Sequence, residues 1–268
     1  IHKQNQMEEK KFKLVGSKKT RYLLPNLLTI VGVCLGISSI KFSIDQNFNL
    51  AVIFILLAAI LDALDGRIAR LIKGTSDFGK ELDSLTDFVS FGIAPALIIY
   101  FWELNTFGKL GWTITLLYSV CCVLRLARFN LTNINKNEVW KMNYFEGIPS
   151  PIGAILILLP LIYEISNLKQ FFNPKILVPY ITILVSIMLI SKIPTFSFKK
   201  ISVPPKLTIF ILLFAVLSFV SLMFYTFETL LLFGFIYVLT IPLSAFLFLK
   251  NKNSLKDNFN DDDHEDIL

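Results

Sequence analysis

Four aspartates at fixed spacing are the residues of this sequence best suited to chemistry. They are Asp62, Asp65, Asp83 and Asp87, and they follow a nearly uncharged apolar run, 48–61. Carboxylates at the edge of a membrane helix are unfavourable unless they bind something. Four of them close together would repel strongly at low dielectric, so protons or cations must neutralise them. The stretch therefore predicts a cation site.

Helical spacing divides the four aspartates between two faces. The first two share a face with Ala69, because these positions are i, i+3 and i+7. The last two share a face with Gly79, at i, i+4 and i+8. The segment 73–76, Lys-Gly-Thr-Ser, predicts a turn between them. Two helices joined by a tight loop can therefore bring the four carboxylates together.

The residue types around the aspartates favour phosphate chemistry. An all-oxygen ligand set suits Mg²⁺, Mn²⁺ or Ca²⁺, and the absence of His and Cys from the stretch disfavours zinc. A divalent pair beside an arginine is an arrangement that serves phosphoryl transfer, and Arg70 can bind phosphate in bidentate fashion. The small residues Gly66, Ala69 and Gly79 leave room for a bulky ligand. The alternative is a solvated helix end with ordinary ion pairs.

The composition indicates a polytopic membrane protein. Of the 268 residues, 54% are hydrophobic and only 17% are charged, which is too apolar for an ordinary soluble domain. The net charge of +6 comes from Lys and Arg in short segments between apolar runs, as the positive-inside rule expects. We therefore expect membrane lipid as a partner and no nucleic acid.

The apolar runs predict an all-α membrane helix bundle with about eight transmembrane helices. The predicted spans are 23–40, 48–63, 88–102, 112–126, 152–165, 176–190, 207–225 and 230–249. Several are shorter than the usual ~20 residues, so polar ends should extend the helices beyond the apolar runs. With the basic N-terminal segment inside, the basic loops alternate correctly and place the aspartates at the cytoplasmic face.

The chain divides into four predicted parts. They are a basic cytoplasmic leader (1–22), a core of six transmembrane helices (23–206), two additional transmembrane helices (207–249) and a polar acidic tail (250–268). We expect the tail to be disordered and solvated. The leader has no apolar centre, so we expect no cleavable signal peptide, and Met7 is a candidate for the true start.

The aspartate stretch resembles the signature of the CDP-alcohol phosphatidyltransferase family. The match holds at every position. The signature reads Asp-x-x-Asp-Gly-x-x-Ala-Arg, then eight residues, then Gly-x-x-x-Asp-x-x-x-Asp. The segments 83–95, 125–130 and 145–151 resemble the phosphatidylserine synthase branch of the family, and 24–29 also fits. The likeness covers roughly residues 20 to 200.

The resemblance implies a role for each aspartate. The implied ligands of two divalent ions, Mg²⁺ or Mn²⁺, are Asp62, Asp65, Asp83 and Asp87. Asp62 and Asp83 would bridge both ions. Asp87 would also be the general base that accepts the proton of the acceptor hydroxyl.

The resemblance also implies the residues that bind CDP-diacylglycerol. They are Gly66, Ala69, Arg70 and Gly79, with Arg70 on phosphate. Asn26 and Thr29, which share a helix face, are further candidates for contact with the nucleotide or the phosphates. The alternative for these two is helix capping and bonding between helices.

Three residues are candidates for binding the acceptor. Arg125 and Arg128 end the fourth predicted span, and Pro149 lies in the turn 147–151 that precedes the fifth. The alternative for the arginines is a positive-inside signal with snorkelling side chains. For the turn, it is an ordinary loop.

The implied reaction is attack of the L-serine hydroxyl on the diacylglycerol-bearing phosphorus of CDP-diacylglycerol, giving phosphatidylserine and CMP. The resemblance further implies a homodimer, and we expect the bacterial inner membrane as its location. The same chemistry with glycerol 3-phosphate, inositol phosphate or choline, or with serine on an archaeal-type lipid, is the nearest alternative. A divalent-cation transporter is a more remote one, since it would place acids deep within several spans rather than at one edge.

Overall fold

The computed structural model describes residues 23–72, 76–132, 144–166, 168, 173–191, 194–196 and 205–244. The predicted leader (1–22) and acidic tail (250–268) lie outside the described residues, as does most of the predicted turn at 73–76.

Helices make up nearly all of the described chain. The α-helices are α1 (Leu23–Ile44), α2 (Phe48–Leu71), α3 (Asp77–Asp87), α4 (Ala94–Trp102), α5 (Lys109–Thr132), α6 (Ser150–Ile165), α7 (Val178–Ile190), α8 (Pro205–Phe224) and α9 (Thr226–Ser244). A π-helix, here called the π segment (Phe88–Ile93), joins α3 to α4, and 3-10 helices cover Leu104–Phe107 and Pro174–Leu177.

The prediction of a polytopic membrane bundle is confirmed. Five helical stretches are long and apolar enough to cross a membrane, and three shorter apolar helices accompany them within the described residues. Polar helix ends do extend past the apolar runs, as expected from their length. The second helix continues to Leu71 instead of ending near Ala63, and the third begins at Asp77 instead of Phe88.

Side-chain caps begin the two helices that carry the aspartates. The Asn47 side chain accepts a hydrogen bond from the backbone N–H of Leu50 and begins α2. Ser76 begins α3, because its Oγ accepts from the N–H of Gly79 at 3.0 Å. Such caps satisfy N–H groups that the first turn of a helix leaves unpaired.

The helical stretch Asp77–Trp102 lies at the centre of the bundle. Half of its most apolar window is buried, against about a third or less for the other long apolar helices. It contacts α1, α2, α5 and α6. The core around it includes Ile98, Ile99 and Ile157, none of which has more than a trace of exposed surface. By contrast, α8 exposes apolar side chains such as Phe214 and Leu217, as expected of a helix that faces lipid.

One short strand pair interrupts the helical pattern. Tyr144–Glu146 (β1) pairs antiparallel with Pro194–Phe196 (β2), with Tyr144 opposite Phe196. We did not predict this pair. It joins the segment before α6 to the segment after α7, and so it holds the start of α6 near the end of α7.

Candidate active site

Three of the four predicted aspartates meet. Asp62 of α2 and Asp83 and Asp87 of α3 each offer a carboxylate oxygen, and these oxygens all lie within 4.8 Å of one another. All three side chains are partly buried. We call these three residues the aspartate cluster.

Asp65 lies outside that cluster and is held by α1. Its side chain is buried, and its Oδ2 accepts a hydrogen bond from the Thr29 hydroxyl at 2.7 Å. Thr29 also lies within bonding distance of the Pro25 carbonyl, at 3.0 Å. A single hydroxyl hydrogen serves one acceptor at a time, and a charged carboxylate is the stronger one. Thr29 therefore forms the bond between helices that was the alternative to direct contact with a nucleotide.

The aspartate cluster has the properties of a cation site. Oδ1 of Asp87 is buried and has no hydrogen-bond partner in the part of the chain that the structure describes. Within the same residues, no Lys or Arg forms an ion pair with any of the three carboxylates. A buried acceptor without a partner is unfavourable by about 1–3 kcal/mol, and more if it is charged. Carboxylate oxygens alone are the ligand set that Mg²⁺ and Mn²⁺ prefer, so the residues fit such ions.

The predicted nucleotide residues on α2 border open space. A Cβ at Gly66 would meet no atom within 4 Å, and Gly66 and Arg70 are both exposed. Ala69 is partly buried beside them. This end of α2 therefore has room for a ligand next to the aspartate cluster.

Gly79 and Asn26 are close to each other. A Cβ at Gly79 would lie 3.0 Å from Oδ1 of Asn26 and 3.1 Å from Oγ of Ser76. The small size of Gly79 thus allows α1 to approach the start of α3. Its predicted contact with CDP-diacylglycerol stays a prediction, and so does that of Asn26.

Arg125 is a cation of α5 near Asp87. Its Nη1 donates to Oγ of Ser150, the first residue of α6, at 2.5 Å. Its Nε is buried and has no hydrogen-bond partner among the described residues. The guanidinium is close enough to attract the Asp87 carboxylate. We call Arg125 and Ser150 the arginine corner.

Ser150 and Asn130 are two residues of this region to which we had assigned no role. Asn130 Nδ2 donates to Oγ of Ser84 at 3.0 Å and so connects α5 to α3. Both residues lie in segments that resemble the phosphatidylserine synthase branch, and this likeness was the sign in the sequence that could have pointed to them. Ser150 follows Pro149 at a helix start, where a side-chain hydroxyl commonly finds a polar partner.

Arg128 has a structural contact. Its Nη1 donates to the carbonyl of Ile190 at the C-terminus of α7, at 2.6 Å, where a cation is favourable. Gly147 approaches the same helix end with a left-handed φ of 76°. A Cβ there would lie 2.8 Å from the carbonyl oxygen of Ser191, so only glycine fits. Pro149 follows as the residue before α6, and its contact with the acceptor stays a prediction.

The fold and the site define a class, an integral membrane protein with a convergent carboxylate cluster at its helix ends. The sequence model described as CDP-alcohol phosphatidyltransferase matches residues 22–197. The chain therefore belongs to the CDP-alcohol phosphatidyltransferase family. The match ends before α8, and the predicted division of the chain at 206 stays a prediction.

Named relatives are similar over most of the same region. A CDP-diacylglycerol–serine O-phosphatidyltransferase of Mycobacterium leprae is 38% identical over 184 residues, 68% of this chain and 61% of that protein. One of Helicobacter pylori is 38% identical over 202 residues, 74% of this chain and 82% of that protein. An archaetidylserine synthase of Methanothermobacter thermautotrophicus is 38% identical over 174 residues, 63% of this chain and 68% of that protein. The chain thus spans less than two thirds of the mycobacterial relative.

Proposed function

We propose that the chain transfers the phosphatidyl group of CDP-diacylglycerol to the hydroxyl of L-serine, giving phosphatidylserine and CMP. The observation that carries this proposal is the aspartate cluster, with its unpartnered carboxylate oxygen. Serine is supported by the names of the relatives, because bacterial and archaeal relatives that differ in their lipid both have serine in their names.

The aspartates have two tasks in the proposed reaction. Asp62, Asp65, Asp83 and Asp87 would hold two divalent ions, Mg²⁺ or Mn²⁺. When bound, these ions would neutralise charge on the phosphate oxygens and on the leaving CMP. Asp65 lies outside the aspartate cluster and its Oδ2 accepts from Thr29, so its place among the ligands stays a prediction.

Asp87 is the proposed general base. It takes the proton from the serine hydroxyl as the serine oxygen attacks the phosphorus that bears diacylglycerol. The new O–P bond forms, the bond from that phosphorus to the bridging oxygen breaks, and CMP leaves with the electron pair. The unpartnered Oδ1 supplies an acceptor for that proton.

The nucleotide is proposed to lie along the open end of α2. Arg70 is exposed there and can form a bidentate contact with phosphate. Gly66 and Ala69 add little volume, so the nucleotide can approach the helix backbone. Gly79 and Asn26 border the same site from α3 and α1.

Arg125 is the proposed contact for the serine carboxylate. Its Nη1 donates to Ser150, and its buried Nε has no acceptor among the residues that the structure describes. A carboxylate can satisfy that donor, whereas choline, a cation, would be repelled by the guanidinium. Arg128 already donates to the backbone carbonyl of Ile190 at the end of α7, which leaves it less capacity to bind an anion. This difference favours serine, whose carboxylate carries a single negative charge, over the phosphate group of glycerol 3-phosphate or inositol phosphate.

The proposed location is the inner membrane of a bacterium, with the site at the cytoplasmic face. Three basic residues lie at the aspartate end of their helices, namely Arg67, Arg70 and Lys80. The acidic residues Asp45 and Glu103 lie at the other end of the bundle. This bias is what the positive-inside rule expects of a cytoplasmic surface. The homodimer implied by the family resemblance stays a prediction.

The test is an assay of membranes that contain the full chain. They are supplied with CDP-diacylglycerol, Mn²⁺ or Mg²⁺, and serine, glycerol 3-phosphate, inositol phosphate or choline in parallel, and both CMP and the lipid product are measured. We expect CMP release with serine alone, its loss with a chelator, and its return when metal is restored. No release with any acceptor would overturn the transferase, and release with another acceptor but not serine would overturn only the choice of serine.

A further inference from the structure

Asp87 lies where the helix changes its geometry. It is the last residue of α3, and the π segment begins at the next residue. In this segment the N–H of Ala94 bonds to the carbonyl of Val89, five residues earlier, instead of four. Such wide turns are rare and rotate the following helix relative to the preceding one. The direction of the Asp87 side chain therefore depends on how this turn is held.

Pro95 leaves the end of the π segment short of one backbone donor. Proline has no N–H, so position 95 cannot donate to the carbonyl of Ser90, five residues earlier as in the π segment, or to that of Phe91, four residues earlier as in an α-helix. The hydroxyl of Tyr118, on α5, donates to the Phe91 carbonyl at 2.9 Å. The Tyr118 side chain is completely buried. The neighbouring Ser119 places its Oγ 3.3 Å from the carbonyl of Gly92 and 3.2 Å from the carbonyl of Thr115 on its own helix, so its one hydrogen is shared between the two helices.

The opposite side of the π segment is held by α1. Ser90 Oγ donates to the carbonyl of Gly32 at 3.3 Å. A Cβ at Gly36 would lie 2.6 Å from that Oγ, so the two backbones are as close as glycine permits. The π segment is thus fixed between two helices, by hydrogen bonds from α5 and by close packing with α1.

We propose that Tyr118 is a positioning residue for the transfer, because its hydroxyl fixes the π segment and thereby directs the Asp87 carboxylate at the acceptor hydroxyl. This inference rests on the proposed function, in which Asp87 is the base. Tyr118 does not touch the reacting atoms. Its effect passes through the carbonyl of Phe91 and the turn that begins beside Asp87.

The first experiment compares Tyr118→Phe with wild type as the purified full chain in phosphatidylcholine vesicles. The phenyl ring keeps its packing, and only the donor to Phe91 is lost. A small misplacement of a reacting group lowers the rate substantially, so we expect kcat to fall about 10- to 100-fold. The KM values for serine and CDP-diacylglycerol should stay within about twofold, since neither binding contact changes. CDP-diacylglycerol should still bind with the stoichiometry of wild type.

The matched control is Tyr100→Phe. Tyr100 is a partly buried tyrosine of α4 whose ring packs edge-to-face on Trp112 at 5.1 Å. It lies beyond the π segment, and the change also removes one hydroxyl from a helix of the core. We expect its kcat to equal that of wild type.

A second substitution can restore the missing donor. Pro95→Ala supplies a backbone N–H four residues after Phe91, where it can bond to the carbonyl that Tyr118 leaves free. In the Tyr118→Phe background we expect Pro95→Ala to raise kcat by about threefold or more. The effects of the two substitutions would then be non-additive, as is usual for groups in contact. If Tyr118→Phe does not fold, the double variant takes its place, because Pro95→Ala supplies a donor; we then expect a kcat within about tenfold of wild type.

Three results would overturn the inference. They are an unchanged kcat in Tyr118→Phe; a loss of kcat that only matches a loss of CDP-diacylglycerol binding sites; and a double variant that is no faster than Tyr118→Phe or, where it is used alone, that folds with a kcat more than about 100-fold below wild type. Wild type that releases no CMP in the same assay would instead overturn the proposed function. The two failures are therefore distinguishable.

Discussion

The aspartate cluster and the arginine corner differ in charge and in how the chain supports them. The cluster comes from consecutive helices, α2 and α3, and has three carboxylates without an ion-pair partner in the described chain. The corner comes from α5 and α6 and has a guanidinium whose Nε lacks an acceptor. Each side needs an ion of opposite sign that the described residues do not supply. A cation on one side and an anionic substrate on the other would complete both.

Asp87 belongs to the aspartate cluster and also faces Arg125, so its substitution should have the largest effect. Asp87→Asn keeps the size of the side chain but removes the base. We expect kcat to fall about 10²- to 10⁴-fold while CDP-diacylglycerol still binds, measured by CMP release and by equilibrium binding. Asp45→Asn is the control, because Asp45 is exposed at the far end of the bundle and pairs with Lys41. Unchanged turnover in Asp87→Asn would show that Asp87 is not the base.

Asp62→Asn tests the cation side alone. The loss of one carboxylate ligand should raise the Mn²⁺ concentration for half-maximal activity about 100-fold, since even outer-shell changes reach 10- to 100-fold. A metal titration of CMP release measures this. The matched control is Asp77→Asn, whose carboxylate is exposed and bonded to Lys80 at 2.8 Å. A normal metal requirement in Asp62→Asn would remove it from the ligand set.

Arg125→Lys tests the anion side alone. Lysine keeps the charge but loses the planar fork that can serve Ser150 and a carboxylate together. We expect the KM for serine to rise about 30-fold, the value of one charged hydrogen bond, while the KM for CDP-diacylglycerol stays unchanged. Arg67→Lys, on the exposed face of α2, is the control. An equal rise in both KM values would contradict a contact specific to serine.

Arg128→Gln should have the smallest effect on activity. It should also distinguish the role of Arg128 from that of Arg125. It removes the charged donor to the Ile190 carbonyl, so we expect a loss of stability of about 1–2 kcal/mol. Thermal unfolding in detergent measures this, and the KM for serine should remain near that of wild type. A large rise in that KM with unchanged stability would place Arg128 on the acceptor instead.

The aspartate cluster could be predicted because it depends on local spacing. Intervals of three and four residues place side chains on one helix face wherever the helix lies. The separation of Asp65 from the cluster could not be predicted, since Thr29, 36 positions away in the chain, takes its carboxylate. The predicted membrane bundle followed equally from the length of the apolar runs.

The arginine corner and the π segment depend on tertiary contacts that no local spacing encodes. Arg125 and Ser150 meet only because the folded chain brings the start of α6 to α5, and the chain between them includes residues with no apolar pattern. The π segment lies in a continuous apolar run that predicts a regular helix. Pro95 was the visible sign of a missing donor, but its compensation by Tyr118 requires the packed structure.

The enclosure of the helical stretch Asp77–Trp102 also affects how the site responds to its surroundings. Bilayers of different thickness tilt or shift the helices that contact lipid directly. The apolar part of the helical stretch that follows Asp83 and Asp87 is the most enclosed of the long apolar helices, while α8 exposes apolar side chains. The enclosed π segment follows Asp87 directly, so we expect the position of Asp87 to depend little on the thickness of the membrane whose lipid composition the proposed reaction would alter.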